Sequence, residues 1–251
     1  MTYCIAVSVK EGLVLTSDSR TNAGIDNVSV YGKMHALPTF ADRKIVLLSA
    51  GNLATTQAVL DQLRRDMMDN AALNLNTVSY LSEAAEYVGK VSLDKQSRHA
   101  NAGQNGFFPA ATFIVAGQIA HHPHAAYLVY PEGNYITTSA QTPYLQIGEN
   151  KYGKPVLDRF LKNDTALQEA GRCCLISMDS TMRSNASVGA PVELLIYNRD
   201  RLALDEYYCF QEDDDYLIRL RRSWHEKLKE SFQTLPEIDR SVSSTLAVIE
   251  L

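Results

Sequence analysis

The sequence of 251 residues has little of what marks several common protein classes. Its four cysteines include no CxxC pair, so we predict reduced core residues of a cytoplasmic protein and no disulfide framework. No apolar run reaches 18 residues, which argues against a membrane span. The N-terminus also lacks a basic segment followed by an apolar stretch, so we predict no secretory signal.

Motifs for several kinds of chemistry are missing as well. There is no GxxxxGK[ST] loop and no GxGxxG after a strand, so nucleotide binding has no support, and no GxSxG elbow indicates Ser-His-Asp catalysis. The net charge of −5 favours neither nucleic acid nor an anionic membrane as a partner. The segment HHPH at 121–124 resembles a metal-binding cluster. Because it contains a proline and lies between two predicted strands, we interpret it as a hairpin loop. We predict no metal and no cofactor.

Short strands and paired helices alternate along the sequence. Residues 3–9 show the period-two pattern of a strand, and a turn at residues 10–12 leads into LVLTSD as the second strand of a hairpin. The pattern further predicts strand 43–51, helices from residues 52 and 77, strands 111–117, 124–130 and 134–139, helices 153–162 and 165–183, strand 191–198, a helix from the acidic run 212–215 and a strand at 244–251.

This order predicts the fold class. Runs of short strands separated by helix pairs indicate an α+β fold, in which antiparallel sheets lie between layers of helices. No internal repeat or low-complexity linker interrupts the chain. We therefore treat residues 1–251 as one domain, with residues 199–251 as a C-terminal helical extension.

Position two is a threonine, and the first predicted strand follows it directly. Removal of the initiator methionine, which small second residues generally permit, would leave Thr2 with a free α-amine beside its hydroxyl. An N-terminal amine is an established base for activating such a hydroxyl, and its usual pKa of about 7.7–8.0 suits that task. Taken alone, a threonine at position two is simply the second residue encoded by the gene and indicates no function.

Three further residues give Thr2 a chemical context. Asp18 ends the second strand of the hairpin, so we expect it near the terminus. Lys33 follows a loop that is long enough to place it beside Thr2. There its charge would lower the pKa of the Thr2 amine, and Asp18 would hold the lysine in place. Gly51, between a strand and a helix, offers a backbone N–H for an oxyanion. Taken singly, these are a turn carboxylate, a surface lysine and a turn glycine.

Together these segments resemble a known family. TYCIAVSVKEGLVLTSDSRTNAG, GKMHAL and IVLLSAG are similar, in content and order, to the N-terminal half of a proteasome β subunit, and the resemblance extends to about residue 198. The start at Met1-Thr2, without a propeptide, and the longer C-terminal region look most similar to Anbu, the bacterial proteasome-related subfamily. The resemblance implies an N-terminal-nucleophile hydrolase with a four-layer αββα sandwich of two antiparallel sheets flanked by helices.

The resemblance also implies roles for the matching positions. Thr2 corresponds to the nucleophile, Asp18 and Lys33 to its activating pair, and Gly51 to the oxyanion donor. Either the amine of Thr2 or Lys33 would take the hydroxyl proton.

Further positions match the rim of the family's site. Arg20 is expected to support the local carboxylate. Ser49 and Leu53 are expected to line the specificity pocket, although a core position is an equally good interpretation of both.

Two positions depart from the family pattern. Proteasome β subunits place a serine where this chain has Glu149, and an aspartate where it has Ser184. Ser187 keeps the accessory serine of the site. The network around the threonine amine is therefore altered, and Glu149 or Asp179 is a candidate to supply the lost carboxylate.

The predicted function is a proteasome-like threonine peptidase that works in a self-assembled ring or open helical stack. Peptides or unfolded proteins would be its substrates, and any unfolding ATPase would be a separate chain because no phosphate-binding loop is present. Two alternatives stay open, an N-terminal-nucleophile amidase that acts on a small amide and a non-catalytic assembly subunit.

Overall fold

The computed structural model describes residues 1–22, 28–102 and 109–238. Within these ranges the strands are β1 (Tyr3–Val9), β2 (Gly12–Asp18), β3 (Arg20–Asn22), β4 (Val28–Val30), β5 (Met34–Ala36), β6 (Arg43–Gly51), β7 (Ala111–Ile119), β8 (Ala125–Val129), β9 (Tyr135–Thr137), β10 (Tyr144–Gly148), β11 (Val192–Asn198) and β12 (Glu206–Phe210). The helices are α1 (Leu53–Met68), α2 (Leu81–Ala102), α3 (Lys154–Phe160), α4 (Leu167–Ser184) and α5 (Asp215–Gln233). The strand predicted at 244–251 lies outside the described residues.

Two antiparallel sheets of five strands form the centre of the compact unit Met1–Asp214. The first sheet has the order β10-β1-β2-β11-β12, and the second has the order β5-β6-β7-β8-β9. The short strands β3 and β4 pair with each other in a separate ribbon. Neighbouring strands in both sheets run antiparallel, which confirms the predicted α+β class.

Apolar side chains divide the unit into four layers. One buried cluster lies between the two sheets and joins Cys4 and Ala6 of the first to Leu48 and Ile114 of the second. On its outer face the second sheet packs against α1 and α2, whereas α4 covers β1, β2 and β11 of the first sheet. The structure is thus the αββα sandwich that the family resemblance implies.

Strand β1 is covered on both faces, which ties down the N-terminus. Cys4 and Ala6 face the other sheet, and the intervening Tyr3 points toward the helices. The Tyr3 hydroxyl lies 2.7 Å from Ser177 Oγ on α4 and accepts a hydrogen bond of 2.7 Å from Gln146 Nε2 on β10. Because Tyr3 is fully buried and fully bonded, the residue before it has a fixed position.

The C-terminal part differs from its prediction. Strand β12 pairs with β11 at the edge of the first sheet, so the extension predicted as helical from residue 199 begins with a strand. The aromatic run EYYCF favours a strand, a signal that the prediction missed. Helix α5 begins at Asp215, inside the predicted acidic run, and a second unit starts with it. Within α5, Leu217 is buried and Phe232 is 75% exposed.

Candidate active site

Thr2 lies immediately before β1 and is held through its backbone. Its carbonyl oxygen accepts a hydrogen bond of 2.6 Å from the N–H of Glu149. The next N–H, that of Tyr3, donates to Asp18 Oδ1 at 2.9 Å. Gly148 has a φ of +81°, and a Cβ at this position would lie 2.0 Å from the Thr2 carbonyl oxygen. Glycine alone permits so close an approach, which fixes Thr2 at the end of the sheet.

Asp18 and Lys33 form a buried ion pair. Lys33 Nζ donates to Asp18 Oδ1 at 2.7 Å and to the carbonyl oxygen of Arg20 at 2.6 Å. The second carboxylate oxygen, Asp18 Oδ2, accepts from the N–H of Gly189 at 3.2 Å. Asp18 is 0% exposed and Lys33 is 6% exposed. The pair is therefore shielded from water and held by the backbone on both sides.

Two opposing effects set the protonation of this pair. Burial raises the pKa of the Asp18 carboxyl above its usual value, and the ammonium of Lys33 is the largest of the effects that lower it. The N–H groups of Tyr3 and Gly189 lower it further. The carboxyl therefore depends on Lys33 for its charge, and removal of either partner would leave the other without its counter-charge.

A cavity of about 340 Å³ opens beside this pair. Five residues of the predicted site line it, namely Thr2, Lys33, Ser49, Gly51 and Leu53, and others in the lining are Met1, Thr21, Tyr31, His35 and Gln57. The candidate nucleophile, the lysine predicted to activate it and the two residues predicted to set specificity thus share one cavity. It is large enough to receive the side chain of a peptide substrate.

Gly51 joins β6 to α1 at the wall of the cavity. It has a φ of +109°, and a Cβ at this position would lie 2.4 Å from the carbonyl oxygen of Ala110. The following residue, Asn52, caps α1 by accepting a hydrogen bond of 3.0 Å from the N–H of Thr55. The end of a strand and the start of a helix therefore meet next to Thr2, an arrangement that suits binding of a developing negative charge.

His35 also lines the cavity. Its Nε2 atom lies 3.1 Å from Ser49 Oγ. Burial lowers the pKa of His35 to about 4, and the charge of Arg64 lowers it further, so the imidazole is neutral near pH 7. No local motif marks His35, because it comes into the cavity only through the pairing of β5 with β6.

The half-buried His35 should make folding stability depend on pH. Because the pKa is about 4 in the folded chain and 6.5 in the reference state, the stability from a neutral His35 is fully present above pH 6.5 and is lost as the pH falls toward 4. The loss is at most about 3 kcal/mol. The variant His35→Gln should lose less stability over this interval in urea unfolding at pH 7, 5.5 and 4.5. If the free energy of unfolding fell equally with pH in the wild type and in His35→Gln, His35 would not be the source of the pH dependence.

Two predicted residues occupy unexpected positions. The guanidinium of Arg20 donates to the carbonyl oxygen of Ala186 at 3.1 Å and lies 3.8 Å from Glu212, and within the described residues it makes no bond to Asp18. Its support of the ion pair comes instead from its backbone carbonyl. Ser187 donates its N–H to Asn185 Oδ1 at 3.0 Å, and it does not belong to the described lining of the cavity.

Met1 still precedes the threonine and forms part of the cavity wall. Burial lowers the pKa of its terminal amine, Lys33 lowers it further, and Asp18 raises it. The charges of Lys33 and Asp18 therefore both affect the pKa of the amine at the chain end. As long as Met1 is attached, however, the nitrogen of Thr2 is an amide and cannot accept a proton.

In the part of the chain that the structure describes, no three His, Cys, Asp or Glu side chains are grouped to hold a metal ion. His124, the last residue of the HHPH run, instead bonds through Nε2 to the carbonyl oxygen of Val9 at 2.8 Å. No helix among the described residues is long and apolar enough to cross a bilayer.

Comparison with solved structures identifies close relatives. The Anbu (ancestral β-subunit) from Yersinia bercovieri has 40% sequence identity and a TM-score of 0.89, and the match covers 95% of this chain and 99% of that one. The Anbu complex from Pseudomonas aeruginosa, solved as a helical assembly, has 41% identity, a TM-score of 0.91 and coverage of 96% and 100%. Anbu from Hyphomicrobium sp. strain MC1 has 38% identity, a TM-score of 0.85 and coverage of 94% and 99%.

A family model for proteasome subunits matches residues 2–197, which include every residue of the candidate site. A search of functionally curated proteins gives no match. The family match starts at Thr2 and spans both sheets, and the structural matches extend through nearly the whole chain. The chain therefore belongs to the proteasome subunit family and, within it, to the Anbu group.

Proposed function

We propose that this chain is an N-terminal threonine peptidase that becomes active when Met1 is removed. The observation that carries the proposal is the shared cavity of Thr2 and Lys33, with Lys33 fixed by Asp18 at 2.7 Å. A hydroxyl, a cation that stabilises its deprotonated form and a nearby terminal amine are the parts that this chemistry needs. The N-terminal-nucleophile fold of the family is consistent with it.

The α-amine of Thr2 is the better candidate for the base. Lys33 Nζ already donates to a carboxylate and to a carbonyl oxygen, at 2.7 and 2.6 Å, so its protons are committed to those acceptors. Lys33 then acts as a fixed positive charge beside the hydroxyl. Its charge favours the neutral form of the amine and the anionic form of the oxygen that attacks.

The reaction proceeds in two balanced steps. The Thr2 oxygen attacks the substrate carbonyl, and its proton moves to the amine of Thr2. The tetrahedral oxyanion is bound by the N–H of Gly51, and its collapse breaks the C–N bond as the proton passes to the leaving amine. Water then attacks the ester, with the amine of Thr2 again as the base. This second step releases a carboxylic acid and restores the threonine hydroxyl.

We further propose that the peptidase works as a homo-oligomer on peptides or unfolded proteins. The relative from Pseudomonas aeruginosa forms a helical assembly, which supports assembly of this chain as well. An unfolding ATPase would be a separate partner. The three buried free thiols, Cys4, Cys173 and Cys174, support a cytoplasmic location.

One other candidate is a non-catalytic assembly subunit, which is favoured by Ser184 at the position where proteasome β subunits have an aspartate. Incubation of the purified oligomer with a mixed peptide library and with small primary amides, followed by mass spectrometry, separates the candidates. The proposal predicts new peptide termini at internal bonds and little release of ammonia from the small amides. The absence of cleavage by a chain that has lost Met1 would favour the assembly subunit, and hydrolysis of the small amides alone would favour an amidase.

A further inference from the structure

Glu149 carries a buried carboxylate whose bonding is incomplete. The residue is 9% exposed. Its Oε2 accepts from Asn185 Nδ2 at 3.2 Å, and its Oε1 accepts from the N–H of Lys151 at 3.0 Å. Across the described ranges, no lysine, arginine or histidine side chain forms an ion pair with it. Because burial of a carboxylate without a counter-charge is unfavourable, this site is suited to receive a cation.

The position of this carboxylate is next to the chain end. The N–H of Glu149 donates to the carbonyl oxygen of Thr2 at 2.6 Å, so the two residues are direct neighbours across the sheet. The amide of Asn185 that donates to the carboxylate also lies 3.8 Å from Met1 Sδ. Removal of Met1 would therefore vacate space beside the carboxylate and would place a new ammonium group on Thr2.

We propose that the Glu149 carboxylate receives the α-ammonium group of Thr2 once Met1 has been removed, and that Asn185 orients the carboxylate. The proposal rests on the proposed function only in requiring Thr2 to be the first residue. Glu149 is then a positioning residue, which aims the amine of Thr2 at its own hydroxyl. Proteasome β subunits have an aspartate at the position of Ser184. In this chain Glu149, which follows Gly148 at the end of β10, would supply the carboxylate instead.

This arrangement balances the charges that act on the amine. Burial and the charge of Lys33 lower the pKa of the Met1 amine, whereas Asp18 raises it, and the same two charges would act on the amine of Thr2 once Met1 is removed. A carboxylate at Glu149 adds to the effect of Asp18 and favours the protonated amine. Lys151 contacts Glu149 through its backbone N–H. On α4, Asp179 pairs with Arg183 at 2.9 Å.

The test measures the amine directly and does not depend on hydrolysis. The chain is released from an N-terminal fusion so that it begins at Thr2, and it is exposed briefly to an amine-acylating reagent at pH 5 to 9. Peptide mass mapping then gives the labelled fraction of Thr2 at each pH. In Glu149→Gln the reactivity of this amine at pH 6 should rise roughly tenfold relative to wild type, because the neutral amine becomes more abundant.

Two variants make the result decisive. Asp179→Asn removes an equally buried carboxylate that already has a partner, and its labelling curve should overlay that of wild type. Asn185→Ala keeps the carboxylate but removes the amide that orients it, so the reactivity at pH 6 should rise by less than in Glu149→Gln, and this variant tests the proposal even if Glu149→Gln folds poorly. Overlay of the Glu149→Gln and wild-type curves, or no rise in Asn185→Ala, would overturn the proposal. Because a chain without peptidase activity still yields these curves, failure of the proposed function is distinguishable.

Discussion

Replacement of Thr2 by alanine is expected to reduce peptide hydrolysis by at least about 1,000-fold, the scale seen when a nucleophile is removed from a hydrolase. The attacking oxygen is lost, and no other hydroxyl is positioned by the same contacts. The fold should persist, because the bond from Glu149 to Thr2 uses the carbonyl oxygen, which alanine retains. We expect the melting temperature to stay within about 2 °C of wild type.

The matched control is Thr2→Ser, which keeps a hydroxyl at the same place. Alanine and serine are both small, so removal of Met1 should proceed in both variants, and intact mass verifies it. Hydrolysis of a fluorogenic peptide should survive in the serine variant and disappear in the alanine variant. Equal rates for wild type and Thr2→Ala would show that Thr2 is not the nucleophile.

The second large effect is expected for the buried ion pair. In Asp18→Ala, Lys33 keeps its charge at 6% exposure but loses the carboxylate at 2.7 Å. Loss of one partner from a buried pair destabilises by about 3–5 kcal/mol, and the N–H groups of Tyr3 and Gly189 also lose their acceptor. Peptide hydrolysis should fall at least about 100-fold, because Lys33 no longer has a fixed position beside Thr2.

The chain offers a control for this prediction at the surface of α2. Glu86 and Lys90 form an ion pair with the same separation of 2.7 Å, but their side chains are 53% and 65% exposed. Glu86→Ala should therefore change the free energy of unfolding by less than about 1 kcal/mol. Urea unfolding of both variants at pH 7 provides the comparison. If the two variants lost similar amounts of free energy of unfolding, burial would not explain the contribution of the Asp18–Lys33 pair to stability.

Part of the candidate site follows from local sequence. The turn at residues 10–12 pairs Val9 with Gly12 and Cys4 with Ser17, and this register places Asp18 at the level of Tyr3. The turn of a tight hairpin determines the register of its two strands. The position of Asp18 near the N-terminus could therefore be predicted from this short stretch of sequence. Strand β6 and the N-cap of α1 at Asn52 were likewise predictable, because an apolar run that ends in glycine is followed by a helical pattern.

The missed parts depend on contacts between distant segments. Strand β10 was not predicted, because its stability comes from pairing with β1, about 140 residues earlier in the chain, and not from a pattern of its own. Glu149 and Asn185 come together only when β10 and the end of α4 are both in place. The side chain of Arg20 lies over Gly189 and not on Asp18, a direction that packing alone decides. The sequence alone could identify the candidate nucleophile and the nearby ion pair, whereas the residues around the chain end could be identified only from the fold.

The measurement that tests the account most directly is the intact mass of the untagged protein after incubation with a broad threonine-directed electrophile, followed by peptide mapping. The account predicts a chain without Met1 that carries one adduct, located on Thr2. The same reaction on Thr2→Ala should give no adduct at the terminus. A chain that retains Met1 and carries no adduct would contradict the N-terminal-nucleophile mechanism and favour the non-catalytic assembly subunit.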